Sequence, residues 1–284
     1  MRIVLIGAAG QLGTALGARL PGQIIPLGRN DLDISDAGSV GDALPRAQPD
    51  LVINAAAYNF VDRAEDEPGQ AMAVNALGPE FVAKTCASMG VPFVHISSDY
   101  VFGQVADRNQ ACRESDPPGP LSAYARSKLR GEELVRAAWP KHYILRTCGL
   151  YGRALSPGKG NFVETMLRLG RERGTVSVVD DQWCTPTAAA DLAGWIAELV
   201  ATGKFGLYHA TNSGSTTWCR LAGEIFRRAG MTVDVKPITT SDFGAKARRP
   251  ACSVLDCSKL EAAIGHRLRP WQEALADYLQ SRRA

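Results

Sequence analysis

The sequence predicts an α/β protein built on a doubly wound parallel sheet, and three observations predict it. Short, apolar, β-branched runs recur through the first half, longer stretches of helical period separate them, and a glycine-rich turn follows directly on the first run. Strands covered by helices on both faces read as nearly continuous apolar segments, whereas strands with one wet face alternate. That criterion selects residues 2–7, 23–27, 51–54, 93–97 and 143–146 as strands, and places helices at 11–20, 69–89 and 122–138 between them. Alternation of strand and helix makes successive strands parallel, because a helix must carry the chain back over the sheet.

After Gly149 the alternation loosens. A Gly- and Pro-containing loop at 156–160 precedes a helix expected at about 161–172 and a short strand at 176–179. A packed helix at 188–200 and a buried strand at 206–210 follow. From Ser215 onward two helical stretches flank a segment rich in Thr, Arg and Pro, which marks a smaller second domain. The expected division is therefore 1–150 plus about 176–212 in a dinucleotide-binding domain, and about 151–175 plus 213–284 in a smaller C-terminal substrate domain. There is no internal repeat and no low-complexity tract.

The 284 residues, 45% hydrophobic and 21% charged, suffice to bury a full core. A formal charge of +3, with basic and acidic residues mixed, argues against a nucleic-acid-binding surface. Only residues 3–6 are strongly apolar at the N-terminus, too few for a signal-peptide core or a membrane span, so a cytoplasmic protein is expected. Seven cysteines, scattered and never spaced Cys-x-x-Cys, argue against a disulfide framework or a zinc site. The four histidines are too far apart in sequence to place two imidazoles on one metal from adjacent helical turns.

Gly7-Ala8-Ala9-Gly10-Gln11-Leu12-Gly13 leaves the first strand and opens a helix. Glycines here permit a tight turn, close approach of a pyrophosphate to the backbone, and close packing of helix on sheet, while the helix N-terminus favours negative charge. After the second strand the chain reads Gly28-Arg29-Asn30-Asp31-Leu32-Asp33. An acidic residue at this point accepts from a ribose 2′-hydroxyl, whereas an arginine pairs with a 2′-phosphate. Arg29 comes first after the strand, so NADP is expected, with NAD used less well. Ala55, Ala56 and Ala57 close the third strand with side chains small enough to leave room for a cofactor.

Ser97-Ser98-Asp99-Tyr100 ends the fourth strand, and Tyr124-Ala125-Arg126-Ser127-Lys128 lies on a helix. Four-residue spacing puts the phenol and the ammonium on one helical face, where the charge is expected to lower the phenol's pKa. Such a tyrosine can protonate a carbonyl oxygen as hydride arrives at the carbon, with Ser98 hydrogen-bonding the same oxygen. Lys128 can also hold a ribose hydroxyl.

At these residues, and in the three-residue gap between Gly7 and Gly10, the chain resembles the extended short-chain dehydrogenases, which carry a Rossmann sheet. Further segments resemble their dTDP-4-dehydrorhamnose reductase branch: Asn54 through Tyr58 leading to Val61, Asp62 and Glu65; Ser98 to Phe102; Asn161-Phe162-Val163; Asp181-Gln182 with Pro186-Thr187; Tyr208-His209; and Arg248-Arg249-Pro250 with Ser253 to Asp256. The resemblance runs through nearly the whole chain in order. It implies NADPH-dependent reduction of the 4-keto group of dTDP-4-dehydro-6-deoxy-L-mannose to give dTDP-L-rhamnose, with Gly7, Gly10, Gln11, Leu12, Gly13, Arg29, Asp33, Ile34, Ala55, Ala56, Ala57, Tyr124 and Lys128 about the cofactor. It places the nucleotide sugar against Asn59, Val61, Asp99, Tyr100, Asn161, Phe162 and Trp183, with Arg248 and Arg249 as pyrophosphate partners.

Three departures matter. Gly149 stands where the branch commonly has a tryptophan, so either a neighbour, with Trp183 the nearest candidate, refills the space or the sugar pocket is larger. Asn59 replaces a common threonine. Ala15 and Ala190 replace glutamates that hold a dimer-bridging magnesium in some relatives, so a monomer or weak homodimer without a metal is expected. Two other readings stay open: a non-catalytic binding subunit similar to the regulatory beta subunit of methionine adenosyltransferase, and an epimerase or reductase of another nucleotide sugar.

Overall fold

The computed structural model describes residues 1–105, 110–154 and 160–282. The loop expected at 156–160 lies outside the described residues except for Gly160. Six parallel strands form the main sheet: β1 (Arg2–Ile6), β2 (Gln23–Leu27), β3 (Leu51–Asn54), β4 (Phe93–Ser98), β5 (His142–Thr147) and β6 (Gly206–His209). Their order across the sheet is β2-β1-β3-β4-β5-β6. The chain leaves β1 to one side for β2 and adds every later strand on the other side. A crevice therefore opens at the carboxyl ends of β1 and β3, where ligands bind in sheets of this kind.

Alternate residues of the strands feed two cores. Ile3, Leu5, Leu51, Ile53 and Leu145 pack with Leu192, Ile196 and Leu199 on one face. Val4, Ile6, Val52, Phe93 and Ile144 pack with Val40, Leu44 and Val82 on the other. Both faces are covered, which is why the strands read as apolar runs rather than alternating ones.

The doubly wound sheet is as expected, and so are β2 and β3 to the residue. Two helical features differ. The helix Ala37–Ala47, not anticipated, contains Gly38, Gly41 and Pro45, all poor helix formers. It is held by the Asp36 side chain, which accepts from the Gly38 and Ser39 amides, and by burial of Val40 and Leu44 one turn apart. The helix expected over 69–89 runs as Pro68–Met72, a widened π-type turn at Ala73–Leu77, and Gly78–Met89. Pro79 has no amide hydrogen to donate back to Asn75, and the wider turn accommodates that loss.

The second half carries elements that the sequence pattern hid. Thr175–Val179 pairs in parallel with the unanticipated strand Asp234–Ile238. Beyond Ser215 there are helices at Trp218–Ala229, Thr240–Phe243, Ser258–Ile264 and Trp271–Ser281 rather than two. Tyr151, Val163, Leu167, Val176 and Val178 pack with Leu221, Ile225, Trp271 and Leu275 in a third core. Among the described residues no helix is long and apolar enough to cross a membrane.

Candidate active site

The glycine turn is built by close approach. Gly7 has φ +78°, and a Cβ there would lie 2.7 Å from the Ala56 nitrogen; a Cβ on Gly13 would lie 2.4 Å from the Gly7 oxygen. Bare backbone at both positions lets the first helix seat on the turn and the turn seat against the end of β3. Gly10 then starts the helix Gln11–Arg19 with no side-chain cap and no acidic residue in the first turn. Its leading amides remain available to an anion, in the positive end of the helix field.

At the end of β2 the two acidic residues are engaged in folding their own turn. Asp31 Oδ2 accepts from the Gly28 amide at 2.8 Å. Asp33 Oδ1 accepts from the Ser35 hydroxyl at 2.6 Å and the Ser35 amide at 3.0 Å, which holds its pKa below the usual carboxylate value. Arg29 is exposed and lines the cleft, together with Leu32, Asp33 and Ile34.

The helix that carries Tyr124 and Lys128, Ala123–Ala138, is anchored near its start from three directions. The Ser122 side chain accepts from the Ala125 amide, and the Glu65 carboxylate accepts from the Ala123 amide at 2.7 Å. Asn75 donates to the Ser127 hydroxyl at 3.0 Å and to the Tyr58 carbonyl at 3.0 Å, while its Oδ1 accepts from the Tyr58 amide. Gly131 allows that closeness, since a Cβ there would sit 2.2 Å from the Asn75 oxygen. Asn75 was not singled out in the sequence, because its partners lie 17 and 52 residues away.

Tyr124 and Lys128 emerge into the cleft from this helix, only 8% and 2% exposed. Lys128 Nζ donates to the Ile96 carbonyl at 2.6 Å. Burial lowers its pKa to about 8, opposed by the Glu132 carboxylate one turn on. The expectation that Lys128 lowers the Tyr124 pKa does not hold for the chain by itself: burial pushes the phenol up to about 12, with Ser98 pulling it down and Asp99 pushing it further up. Desolvation of the phenolate dominates, and Lys128 is not among the groups that shift it. Ser98 donates to Asp99 Oδ1 at 3.1 Å, and Ser253 donates to Asp99 Oδ2 at 2.5 Å. Burial raises the Asp99 pKa in spite of these bonds.

The sugar end differs most from expectation. Asn59, Val61, Asp99, Tyr100 and Asn161 line the cleft. Asn161, however, uses its amide on the protein: Nδ2 donates to Gln11 Oε1 at 3.0 Å and the Gly152 carbonyl at 3.1 Å, and Oδ1 accepts from the Glu164 amide. Trp183 does not fill the space at Gly149. It is 37% exposed, outside the cleft lining, with the Arg220 guanidinium 4.9 Å above its ring. Trp218 is the indole at that place, its Cη2 lying 3.3 Å from where a Gly149 Cβ would be, and Phe162 packs on it with ring centroids 4.8 Å apart. The Thr217 side chain caps the helix and makes Trp218 its first residue, the one signal in the sequence for that position.

Neither arginine of the Arg248-Arg249 pair lines the cleft. Arg248 is exposed on the surface. Arg249 closes its planar fork on Asp62, at 3.0 and 2.7 Å, and also donates to the Ala247 carbonyl. A carboxylate already occupies the geometry a phosphate would need.

One continuous cleft of about 1310 Å³ joins the glycine turn, Ser98, Tyr124, Lys128, Gly149 and Trp218. That exceeds the ~300–1,000 Å³ of a site for one drug-sized ligand, and suits a dinucleotide and a second molecule side by side. Among the described residues no cluster of three or more His, Cys, Asp or Glu could hold a metal ion. A six-stranded parallel sheet with a glycine turn at its switch point and a Ser, Tyr, Lys set in the same crevice defines an oxidoreductase of the extended short-chain dehydrogenase class.

The chain belongs to the RmlD family, whose model, described as the RmlD substrate binding domain, matches residues 1–284. It is 42% identical over 286 residues to a dTDP-4-dehydrorhamnose reductase of Streptomyces griseus, covering 97% of this chain and 92% of that one. Its fold matches the crystal structure of a dTDP-4-dehydrorhamnose reductase from Clostridium acetobutylicum with a TM-score of 0.95 and 38% identity, over 100% of both chains. The same enzyme from Bacillus anthracis, solved in complex with NADP, matches with a TM-score of 0.94 and 38% identity, over 99% of each.

Proposed function

We propose that this protein reduces the 4-keto group of dTDP-4-dehydro-6-deoxy-L-mannose to give dTDP-L-rhamnose, with NADPH as the reductant. The observation that carries this reading is the opening of Ser98, Tyr124 and Lys128 into the cleft that begins at the glycine turn. NADP in complex with a relative of the same fold supports the cofactor, and the uncapped helix after Gly10 fits its pyrophosphate.

Bound NADPH supplies the hydride that goes to the carbonyl carbon. Tyr124 donates its phenolic proton to the carbonyl oxygen as that oxygen becomes an alkoxide. A phenol held near 12 is still the stronger acid of the two, so the transfer runs downhill. Ser98 hydrogen-bonds the same oxygen by turning its one hydroxyl proton from Asp99 Oδ1 to the substrate, while Ser253 keeps its bond to Asp99 Oδ2. Lys128 holds a ribose hydroxyl of the cofactor and places a positive charge behind the phenol. Arg29 pairs with the 2′-phosphate, since Asp31 and Asp33 are engaged elsewhere.

The two-domain division is proposed with two adjustments. Side chains of residues 1–150 share a core with Leu192, Ile196, Tyr208 and Ala210, and Leu260 and Leu268 join it, so Ser258–Ile264 goes with the dinucleotide-binding domain. Val176 and Val178 share a core with Leu221 and Leu275, so Thr175–Val179 goes with the substrate domain. The deciding experiment mixes purified protein and NADPH with a panel of 4-keto nucleotide sugars and follows absorbance of the reduced cofactor. One NADPH consumed per dTDP-4-keto-6-deoxyhexose is expected. No consumption with any sugar would leave a binding subunit, and bound cofactor regenerated in each turnover would leave an epimerase.

A further inference from the structure

We propose that the Trp218 indole is the apolar wall against which the hexose of the nucleotide sugar lies, and that it selects sugars whose C6 is a methyl rather than a hydroxymethyl group. This deepens the reading above and rests on it.

The placement follows from the sheet. Thr147, the last residue of β5, lies opposite Ser98 in the strand register, and Gly149 follows two residues later, so Gly149 sits at the reacting end of the cleft. A Cβ on Gly149 would meet Trp218 Cη2 at 3.3 Å and Pro186 Cα at 3.2 Å. The six-membered edge of the indole is thus in contact with the bare backbone, and the absent side chain lets the ring reach the cleft.

The indole is also held in one place. Phe162 packs on it at an interplanar angle of 52°. Its backbone opens the helix Trp218–Ala229, where Thr217 accepts from the Arg220 amide and donates to Asp180. A fixed half-buried ring, lining a cleft that also holds Ser98 and Tyr124, sorts a sugar by polarity. The carbonyl oxygen turns to the hydroxyl donors, and the C–H surface of the ring turns to the indole. A C6 hydroxyl brought against the indole would lose water without gaining a partner.

The test compares wild type with Trp218→Phe and Trp218→Ala, using a dTDP-4-keto-6-deoxyhexose, its 6-hydroxy analogue, dTDP alone as inhibitor, and NADPH binding. Trp218→Ala should raise KM for the deoxy sugar about tenfold or more and erase most of the discrimination against the 6-hydroxy analogue. Inhibition by dTDP and affinity for NADPH should not move, and Trp218→Phe should recover most of the loss. In wild type, dTDP-L-rhamnose should quench tryptophan fluorescence more than dTDP does, and Trp218→Phe should lose that difference. An unchanged KM with unchanged discrimination, or a change confined to NADPH affinity, overturns the inference. The quenching measurement needs no turnover, so it decides on Trp218 even if the wild type reduces no sugar or Trp218→Ala fails to fold.

Discussion

Arg146 grips Glu132 through two hydrogen bonds of 2.9 and 2.7 Å, with both side chains 2% exposed. Ser97 donates to the same carboxylate at 2.5 Å, and the remaining arm of Arg146 faces His209 Nε2 at 3.4 Å. His209 is neutral, its pKa lowered to about 3 by burial and by Arg146, and its Nδ1 meets the Cys112 carbonyl at 3.0 Å. The network lies behind Lys128, whose charge Glu132 supports. Arg146→Met leaves a buried carboxylate without its partner and should cost about 3–5 kcal/mol in urea unfolding. Adding Glu132→Leu should recover much of that loss; a double variant as unstable as the sum of the two singles would show that the pair is not acting as a pair.

Replacing Tyr124 by Phe keeps the ring's packing against Tyr100, 6.0 Å away edge to face, and removes only the proton donor. Turnover should fall a hundredfold or more with NADPH affinity near wild type. Retention of more than about a tenth of the activity would remove the acid role.

The Lys128 pKa makes an inverse prediction for stability. Its folded value, about 8, lies below the ordinary lysine value of 10.5, so between those two pH values the unfolded chain binds more protons. Stability then rises with pH across that window, and below it the buried ammonium is a standing cost. Lys128→Met should therefore be more stable than wild type at pH 7, by about 1–2 kcal/mol once the lost Ile96 hydrogen bond is offset, with the advantage fading toward pH 10.5. Activity should run the other way. Lys128→Met should be inactive at every pH, and wild-type turnover should decline above about pH 8 as the ammonium is lost.

Why some of the site was legible in the sequence and some was not comes down to range. Gly7 to Gly13 and Tyr124 with Lys128 act through local turn and helix geometry, so spacing alone places them. The Arg249 partner, Asp62, is 187 residues distant, and no local pattern reveals that its fork is already closed. Seeing that Trp183 does not reach Gly149 required knowing which side of a short strand faces the cleft, and Trp183–Cys184 is a two-residue strand whose periodicity carries nothing. The helix at Ala37–Ala47 was readable in principle from Asp36 and the Val40, Leu44 pair, but two glycines and a proline masked it.

Arg29 should set the cofactor preference. Losing a charge-assisted phosphate contact removes about 1.5–3 kcal/mol, so Arg29→Ala should weaken NADPH far more than NADH and bring the two close together. Because Asp31 already accepts from Gly28, Asp31→Asn should disturb the turn and affect both cofactors alike. Wild type that used the two equally would place Arg29 in solvent and return the ribose contact to Asp33.

The last prediction concerns Gly149, where two separate penalties can be measured apart. Its φ of +51° is a left-handed conformation that side chains resist, at about 1–2 kcal/mol, and its missing Cβ faces Pro186 Cα at 3.2 Å and the Trp218 ring at 3.3 Å. Gly203 has φ +68° with nothing within 4 Å of where a Cβ would lie, so Gly203→Ala isolates the backbone penalty. Gly149→Ala should cost the same amount plus crowding, about 1–3 kcal/mol more, because Pro186 presents backbone that cannot swing aside. Gly149→Trp should be worse still, and it should lower turnover of the dTDP-4-keto-6-deoxyhexose rather than raise it, since the space beside Gly149 already holds an indole. Combining Gly149→Ala with Trp218→Leu would relieve the ring contact but not the Pro186 contact, and should restore only part of the stability. Equal costs for Gly149→Ala and Gly203→Ala, or a gain of activity in Gly149→Trp, would mean that the ring does not press on Gly149 in solution and that the wall of the sugar pocket stands open there.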